Sequence, residues 1–146
     1  MMDGVLVTPQ KIIASQNGDV LRGVSISDVG YEGFGEAYFS TIQHGAVKGW
    51  KRHTKMTLNI LVPVGVIRFV MFDERVDSAS CGKFHEVTIS RSNYCRLTVP
   101  PLVWMAFQGV SREDAILLNV ADIPHDPGEA DNKMLSEIDF DWSIVT

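Results

Sequence analysis

The stretch "LNILVPVGVIRFVMFD", residues 58–73, decides the fold class predicted for this chain. It contains two apolar runs, 58–64 and 66–73, which are rich in β-branched and aromatic residues and are separated by a glycine, as is typical of β-strands. The first run is apolar almost throughout, so we expect a central strand that is covered on both faces. Runs of similar composition occur at 20–26, 36–42, 84–90, 94–99, 103–109 and 115–121.

The spacing of these runs predicts an all-β architecture. About eight short strands with turn signals every 8–12 residues favour a sandwich or a barrel over alternating strands and helices. The "NGD" at 17–19 predicts a hairpin. Residues 36–42 alternate in character, so Tyr38 and Ser40 should lie on the face opposite Phe39. Only the tail, 130–142, could hold a short helix. We therefore predict a double-sheet jelly roll with a short C-terminal helix.

Composition limits the class of protein. The 146 residues are 45% hydrophobic and 21% charged, which suits one domain, and the net charge of -5 argues against a nucleic-acid-binding role. Cys81 and Cys95 match neither a metal site nor a disulfide framework, so we expect free thiols. The N-terminal residues do not resemble a signal peptide, and the longest apolar stretch is too short to span a bilayer. We expect a cytoplasmic protein that does not bind membranes.

A basic cluster directly precedes the first apolar run and consists of Lys48, Trp50, Lys51, Arg52, His53 and Lys55. On an extended strand, Lys51 and His53 face the side opposite Trp50 and Arg52. If the Lys51 side points into a barrel, His53 lies in a pocket beside a cation that favours the neutral imidazole, and it becomes a candidate general base. The alternative is a surface histidine among solvated lysines.

Two further segments supply candidate site residues. In "NVADIPHDPGE", 119–129, Asp122 follows an apolar strand, and its carboxylate could accept a hydrogen bond from His53 and fix the ring tautomer. The alternative is an aspartate that only forms a turn. In "VPPLVWMAF", 99–107, Trp104 is either a core residue or a stacking wall for a nucleobase or sugar.

A bound metal is not expected. A jelly-roll metal site usually needs a His-x-His pair, but position 51 is a lysine, whose ammonium group has no lone pair to donate. The other histidines, His44, His85 and His125, have no spacing that indicates a shared site. We therefore predict that the protein uses neither a metal ion nor another cofactor.

Four segments in order, "KGWKRH", "VGVIRFVMFDER", "RLTVPPLVWMAF" and "VADIPHDPGE", resemble the cupin-fold dTDP-4-dehydrorhamnose 3,5-epimerase family. The matching family segments read approximately "RGLH", "GEVFDVAVDLR", "IPPGFAHGF" and "TDYYNPxxE". The segment "GFGEAYFS" is similar to the family's "RGFFxE", which adds Glu36 to the substrate-binding candidates. The resemblance implies one cupin domain over residues 1–146, a homodimer, and metal-free proton transfer beside the ketone of a nucleotide-linked 4-keto-6-deoxy sugar.

The resemblance also implies roles for single residues. His53 matches the family's base and Asp122 its partner, while Lys48 takes the place of an arginine that binds phosphate or an enolate oxygen. Arg52 and Lys55 become candidates for the diphosphate, and Lys51 and Trp104 for the rest of the substrate.

One departure from the family pattern leaves two functions open. The family's catalytic tyrosine aligns with Leu118, which cannot donate a proton. The chain is then either an epimerase or isomerase in surface polysaccharide or deoxysugar synthesis, or a sugar-nucleotide-binding cupin that has lost catalysis. As an enzyme, it either takes the second proton from another residue or water, or catalyses a one-base reaction such as a keto-isomerisation or a single epimerisation. A scaffold protein with a filled pocket is a third, minor possibility.

Overall fold

The computed structural model describes residues 1–144 and is built almost entirely of β-strands. The strands are β1 (Leu6–Pro9), β2 (Ile12–Ile13), β3 (Val20–Leu21), β4 (Glu36–Ile42), β5 (Val47–His53), β6 (Leu58–Val64), β7 (Ile67–Asp73), β8 (Phe84–Ile89), β9 (Cys95–Val99), β10 (Val103–Gly109), β11 (Ala115–Ala121) and β12 (Ala130–Asn132). Among residues 1–144, the one helical element is a turn of 3-10 helix, Leu135–Glu137.

The strands form two five-stranded antiparallel sheets that enclose the core. Sheet A has the order β1-β9-β6-β11-β4, and sheet B has the order β12-β5-β10-β7-β8. Neighbouring strands within each sheet are largely non-consecutive in the chain, as expected when a jelly roll wraps its strands between two layers. The all-β prediction and its double-sheet form are therefore confirmed. The homodimer stays a prediction.

Most predicted strands match the observed ones because their patterns are local. The runs 36–42, 58–64, 103–109 and 115–121 coincide with β4, β6, β10 and β11, and the first five residues of β6 are buried, as expected for a covered central strand. The "NGD" turn joins β2 to β3. The run 20–26 shortens to β3. The predicted C-terminal helix is reduced to the 3-10 turn, because β12 occupies the start of the tail.

Apolar side chains pack on two sides of sheet B. The main core lies between the sheets and includes Ile60, Phe69, Leu97 and Val103. A second cluster lies on the outer face of sheet B, where the C-terminal segment covers it. Its members are Trp50, Val70, Trp104, Ala106, Ile138, Phe72, Phe140 and Trp142. The outer cluster explains why both tryptophans of sheet B are buried although they point away from the interior.

The two cysteines differ in exposure. Cys81 is exposed, Cys95 is buried, and both are free thiols as predicted. Within residues 1–144, no helix has the length and apolar character needed to cross a membrane.

Asp73 at the end of β7 organises the loop that follows. Its carboxylate is fully buried and accepts hydrogen bonds from Arg75 Nε (2.8 Å), Ser78 Oγ (2.6 Å) and Ser80 Oγ (2.5 Å). The Arg75 guanidinium and the two hydroxyls hold the pKa of the Asp73 carboxyl well below its ordinary value, against the opposing effect of burial. The folded state therefore contains an ionised, paired carboxylate in the interior.

We expect Asp73→Asn to lower the free energy of unfolding by about 3–5 kcal/mol, because the buried amide no longer neutralises the partly exposed Arg75 and cannot accept all the hydrogen bonds of the carboxylate. Urea denaturation measures this loss. Asp77→Asn, an exposed change in the same loop, is the control and should have little effect. Equal stability of the two variants would contradict the prediction. Since the Asp73 pKa is lowered, its stabilisation is complete above its ordinary pKa and fades as the pH falls below it.

Candidate active site

A cavity of about 290 Å³ lies between the two sheets and is lined at its base by apolar residues such as Ile60 and Phe107. An outer recess of about 450 Å³ adjoins it, and Tyr38, Lys51 and His53 line both spaces. Apolar walls with a few convergent polar groups are typical of small-molecule sites. The cavity is therefore the candidate active site.

A β-bulge in β5 adds Lys48 to the basic side chains of the cavity. Lys51 pairs with Met105 of β10 and Lys48 with Phe107, so two residues of β5 oppose one residue of β10 between these pairs. Such a bulge interrupts the strict alternation of a strand. As a result Lys48 lines the cavity together with Lys51 and His53. The predicted alternation over 50–53 is confirmed, but alternation alone would have placed Lys48 on the outer face.

His53 is held by Glu129, the residue just before β12. Its Nδ1 lies 2.6 Å from Glu129 Oε1, while Glu129 Oε2 accepts hydrogen bonds from the backbone N–H groups of Lys55 (2.9 Å) and Met56 (3.0 Å). Burial alone would raise the pKa of Glu129, but the bonds from His53 and the two amides lower it to about 2. Glu129 is thus a carboxylate near neutral pH, and it directs His53 to keep its proton on Nδ1 and leave Nε2 available to the cavity.

The predicted pair of His53 and Asp122 is wrong. Asp122 Oδ1 accepts a hydrogen bond from the backbone N–H of Thr57 (2.7 Å), and Asp122 lines neither the cavity nor the recess. Glu129 takes the place next to His53 because β12 pairs with β5, with Ala130 opposite His53. Glu129 is the last residue of the segment 119–129 quoted above. Its contact with His53 could not be predicted, because β12 has only three residues and too weak a sequence pattern to indicate its pairing.

Three predicted substrate-binding residues lie where a ligand could reach them. Lys48 and Lys51 line the cavity, and Glu36 lines the outer recess. Lys48 Nζ donates a hydrogen bond to Ser40 Oγ (3.0 Å) and lies 5.8 Å from the centre of the Phe107 ring. Their roles in binding remain predictions.

The other three predicted substrate-binding residues lie elsewhere. Arg52 is on the outer face of sheet B, where its Nη2 contacts Asp131 Oδ2 (2.7 Å) and its guanidinium lies over the Trp104 ring. Trp104 belongs to the outer cluster and donates a hydrogen bond through Nε1 to Glu74 (2.8 Å). Successive side chains of a strand point to opposite faces. Lys51 and Val103 face the cavity, so the next residues along the two strands, Arg52 and Trp104, face outward. The Lys55 side chain is exposed outside the cavity.

The position aligned with the family tyrosine faces away from the cavity. Leu117 and Asn119 of β11 line the cavity, so Leu118 between them points to the outer face of sheet A. Tyr38 of β4 lines the cavity from sheet A, and its hydroxyl accepts a hydrogen bond from Asn119 Nδ2 (2.9 Å). Tyr38 was predicted to face the same way as Ser40, which is confirmed, but its place opposite His53 was not predicted.

In residues 1–144, no group of three histidine, cysteine, aspartate or glutamate side chains is arranged to bind an ion.

A crystal structure of a dTDP-sugar isomerase from Desulfovibrio desulfuricans G20 is similar to the chain over almost its full length. The two sequences are 35% identical, the match covers 97% of this chain and 92% of the other, and the TM-score is 0.93. The chain belongs to the family of dTDP-sugar isomerases and epimerases. The predicted family resemblance and the cupin-type jelly roll are thereby confirmed.

Two further similar proteins are more distant in sequence. A dTDP-4-dehydrorhamnose 3,5-epimerase from Sulfolobus tokodaii has the same fold, with a TM-score of 0.82 at 23% identity over 94% of this chain and 81% of that one. A probable low-salt glycan biosynthesis epimerase of Haloferax volcanii is 26% identical over 100 residues. That match spans 68% of this chain but only 64% of the relative. No protein-family model matches the sequence.

Proposed function

We propose that the protein is a metal-independent epimerase or isomerase of a nucleotide-linked 4-keto-6-deoxy sugar, acting in glycan or polysaccharide synthesis. The observation that carries this proposal is the 2.6 Å contact between His53 and the ionised Glu129 at the cavity wall. Membership of the dTDP-sugar isomerase and epimerase family supports the substrate class.

The pair supplies a base for the first chemical step. Glu129 accepts the Nδ1 proton of His53, so the Nε2 lone pair removes a proton from the carbon next to the ketone. The resulting imidazolium is stabilised by the carboxylate, which remains ionised because two backbone amides also donate to it. The protein therefore needs no cofactor to start the reaction.

The basic side chains stabilise the negative charges of the substrate and of the enolate intermediate. Removing the proton places charge on the ketone oxygen, and a fixed cation near that oxygen stabilises the enolate. Lys48 and Lys51 both line the cavity, and Lys51 also lines the outer recess. We therefore assign Lys48 to the enolate and Lys51 to the diphosphate.

A non-catalytic sugar-nucleotide binder is the second candidate. It is favoured by Leu118, which takes the place of the family tyrosine and points out of the site. The two functions predict the same ligand, but only the enzyme breaks a carbon–hydrogen bond.

Incubating the protein with a dTDP-4-keto-6-deoxyhexose in deuterium oxide tests the proposal. The enzyme should incorporate deuterium next to the ketone faster than the buffer does, as followed by mass spectrometry. Tight binding without incorporation would support the non-catalytic binder, and absence of binding would contradict both candidates.

Lys51 and Arg52 form a matched pair for testing where the nucleotide binds. They are adjacent and carry the same charge, but only Lys51 faces the cavity. We expect Lys51→Gln to weaken dTDP binding about tenfold, as for loss of one hydrogen bond to a charged group. Arg52→Gln should change the affinity less than about twofold, since its guanidinium points away from the cavity and pairs with Asp131. Isothermal calorimetry measures both, and equal losses would contradict a cavity site for the phosphates.

A further inference from the structure

The cavity presents ionisable groups from two opposite walls. Lys48, Lys51 and His53 all belong to β5 of sheet B. Among the described residues of sheet A that line the 290 Å³ cavity, Tyr38 is the one with an ionisable side chain. Ser40 also faces the cavity from this wall, but its hydroxyl is engaged by the Lys48 ammonium. Tyr38 is therefore placed to act on a bound molecule from the side opposite His53.

Asn119 holds the Tyr38 hydroxyl in a defined direction. The two residues are directly opposite each other in the β4–β11 register, and Asn119 is only 2% exposed. Because Asn119 Nδ2 donates to the phenol oxygen, the phenol hydrogen is free to be donated to a ligand. The same amide N–H would stabilise the phenolate that remains after the hydrogen is given up.

Inversion of a carbon centre needs a proton donor on the face opposite the base. His53 reaches the substrate from one face, so a proton returned by His53 restores the original configuration. We propose that Tyr38, positioned by Asn119, donates the proton to the opposite face and that the protein inverts the carbon. This inference rests on the proposed function and supplies the second acid that Leu118 cannot provide.

The step is balanced without an oxidant or a reductant. When His53 removes the proton, the carbon–hydrogen bonding pair becomes the carbon–carbon double bond of an enolate, and the ketone π pair moves to oxygen. When the ketone forms again, the double-bond pair takes the Tyr38 proton on the other face and the tyrosine O–H bond breaks. Exchange with solvent then deprotonates His53 and reprotonates Tyr38.

Tyr38→Phe separates this role from the role of the base. In deuterium oxide, we expect inverted product to form about 10²–10³-fold more slowly, in the range of general acid catalysis. Deuterium exchange into the recovered substrate, without inversion, should persist within about threefold of the wild-type rate, because His53 can still remove and return a proton. Tyr31→Phe removes a hydroxyl outside the cavity and is the matched control. NMR of product and substrate measures both rates.

The outcomes distinguish this inference from the proposed function. If the wild-type protein exchanges no hydrogen, the proposed function fails and this inference fails with it. If the wild type exchanges and inverts but Tyr38→Phe inverts at a similar rate, only the role of Tyr38 is overturned. A wild type that exchanges without inverting, or a Tyr38→Phe variant that binds dTDP but loses exchange and inversion equally, also overturns the opposite-face role.

Discussion

Replacing His53 with glutamine should lower the rate of solvent deuterium exchange into the substrate by about 10³-fold, the expected size for loss of a general base. Glutamine can still contact Glu129, but its side chain has no group that takes up a proton near neutral pH. The cavity and its lysines are retained, so dTDP should bind with similar affinity. Mass spectrometry of the exchanged sugar and calorimetry of dTDP binding measure the two effects.

His85→Gln is the matched control for this variant. His85 lies on β8 and lines neither the cavity nor the outer recess. Its replacement should leave exchange unchanged. If His53→Gln exchanges as fast as the wild type, then His53 is not the base, and the proposed mechanism is overturned even if the protein proves to be an epimerase.

Replacing Glu129 with glutamine should be nearly as damaging, although the shape of the side chain is kept. The backbone N–H groups of Lys55 and Met56 both point at Glu129 Oε2, so the glutamine oxygen must stay there. Its NH₂ group is then directed at His53 Nδ1, which can only accept from it. The ring proton moves to Nε2, and the nitrogen that faces the cavity no longer takes up a proton. We expect exchange to fall about 10³-fold, within the range that general acid–base catalysis contributes. The cause is the same as when a triad's orienting carboxylate is replaced by an amide, namely the wrong ring tautomer.

Asp122→Asn discriminates between the two candidate partners of His53. The asparagine oxygen can still accept the Thr57 N–H, so we expect exchange within about threefold of the wild-type rate. A large loss in Asp122→Asn together with a small loss in Glu129→Gln would contradict the assignment of Glu129. Both variants are checked for folding by circular dichroism before the rates are compared.

Glu129 also makes stability depend on pH in a predictable direction. Its pKa is lowered from 4.5 to about 2, so its stabilising contribution is complete above pH 4.5 and is lost as the pH falls towards 2. In Glu129→Gln this component is absent. Denaturation midpoints of wild type and variant, measured across this pH interval, should therefore converge on the acidic side.

The sequence by itself determined the features that depend on neighbouring residues along the chain. Strands such as β6 and β11 were predictable because a short apolar run bounded by turn residues is typical of a buried β-strand. The opposite orientation of Arg52 and His53 was predictable because successive side chains of a strand point to opposite faces. The order of the motifs was sufficient to indicate the family.

The tertiary structure alone decided which groups meet in the site. Glu129 reaches His53 across 76 positions of sequence because a three-residue strand pairs with β5, and such a short pairing leaves almost no local pattern. Lys48 enters the cavity because a bulge shifts the register against β10. Tyr38 faces His53 because two sheets close on each other. Contacts of this kind arise from packing between distant segments, and no local spacing encodes them.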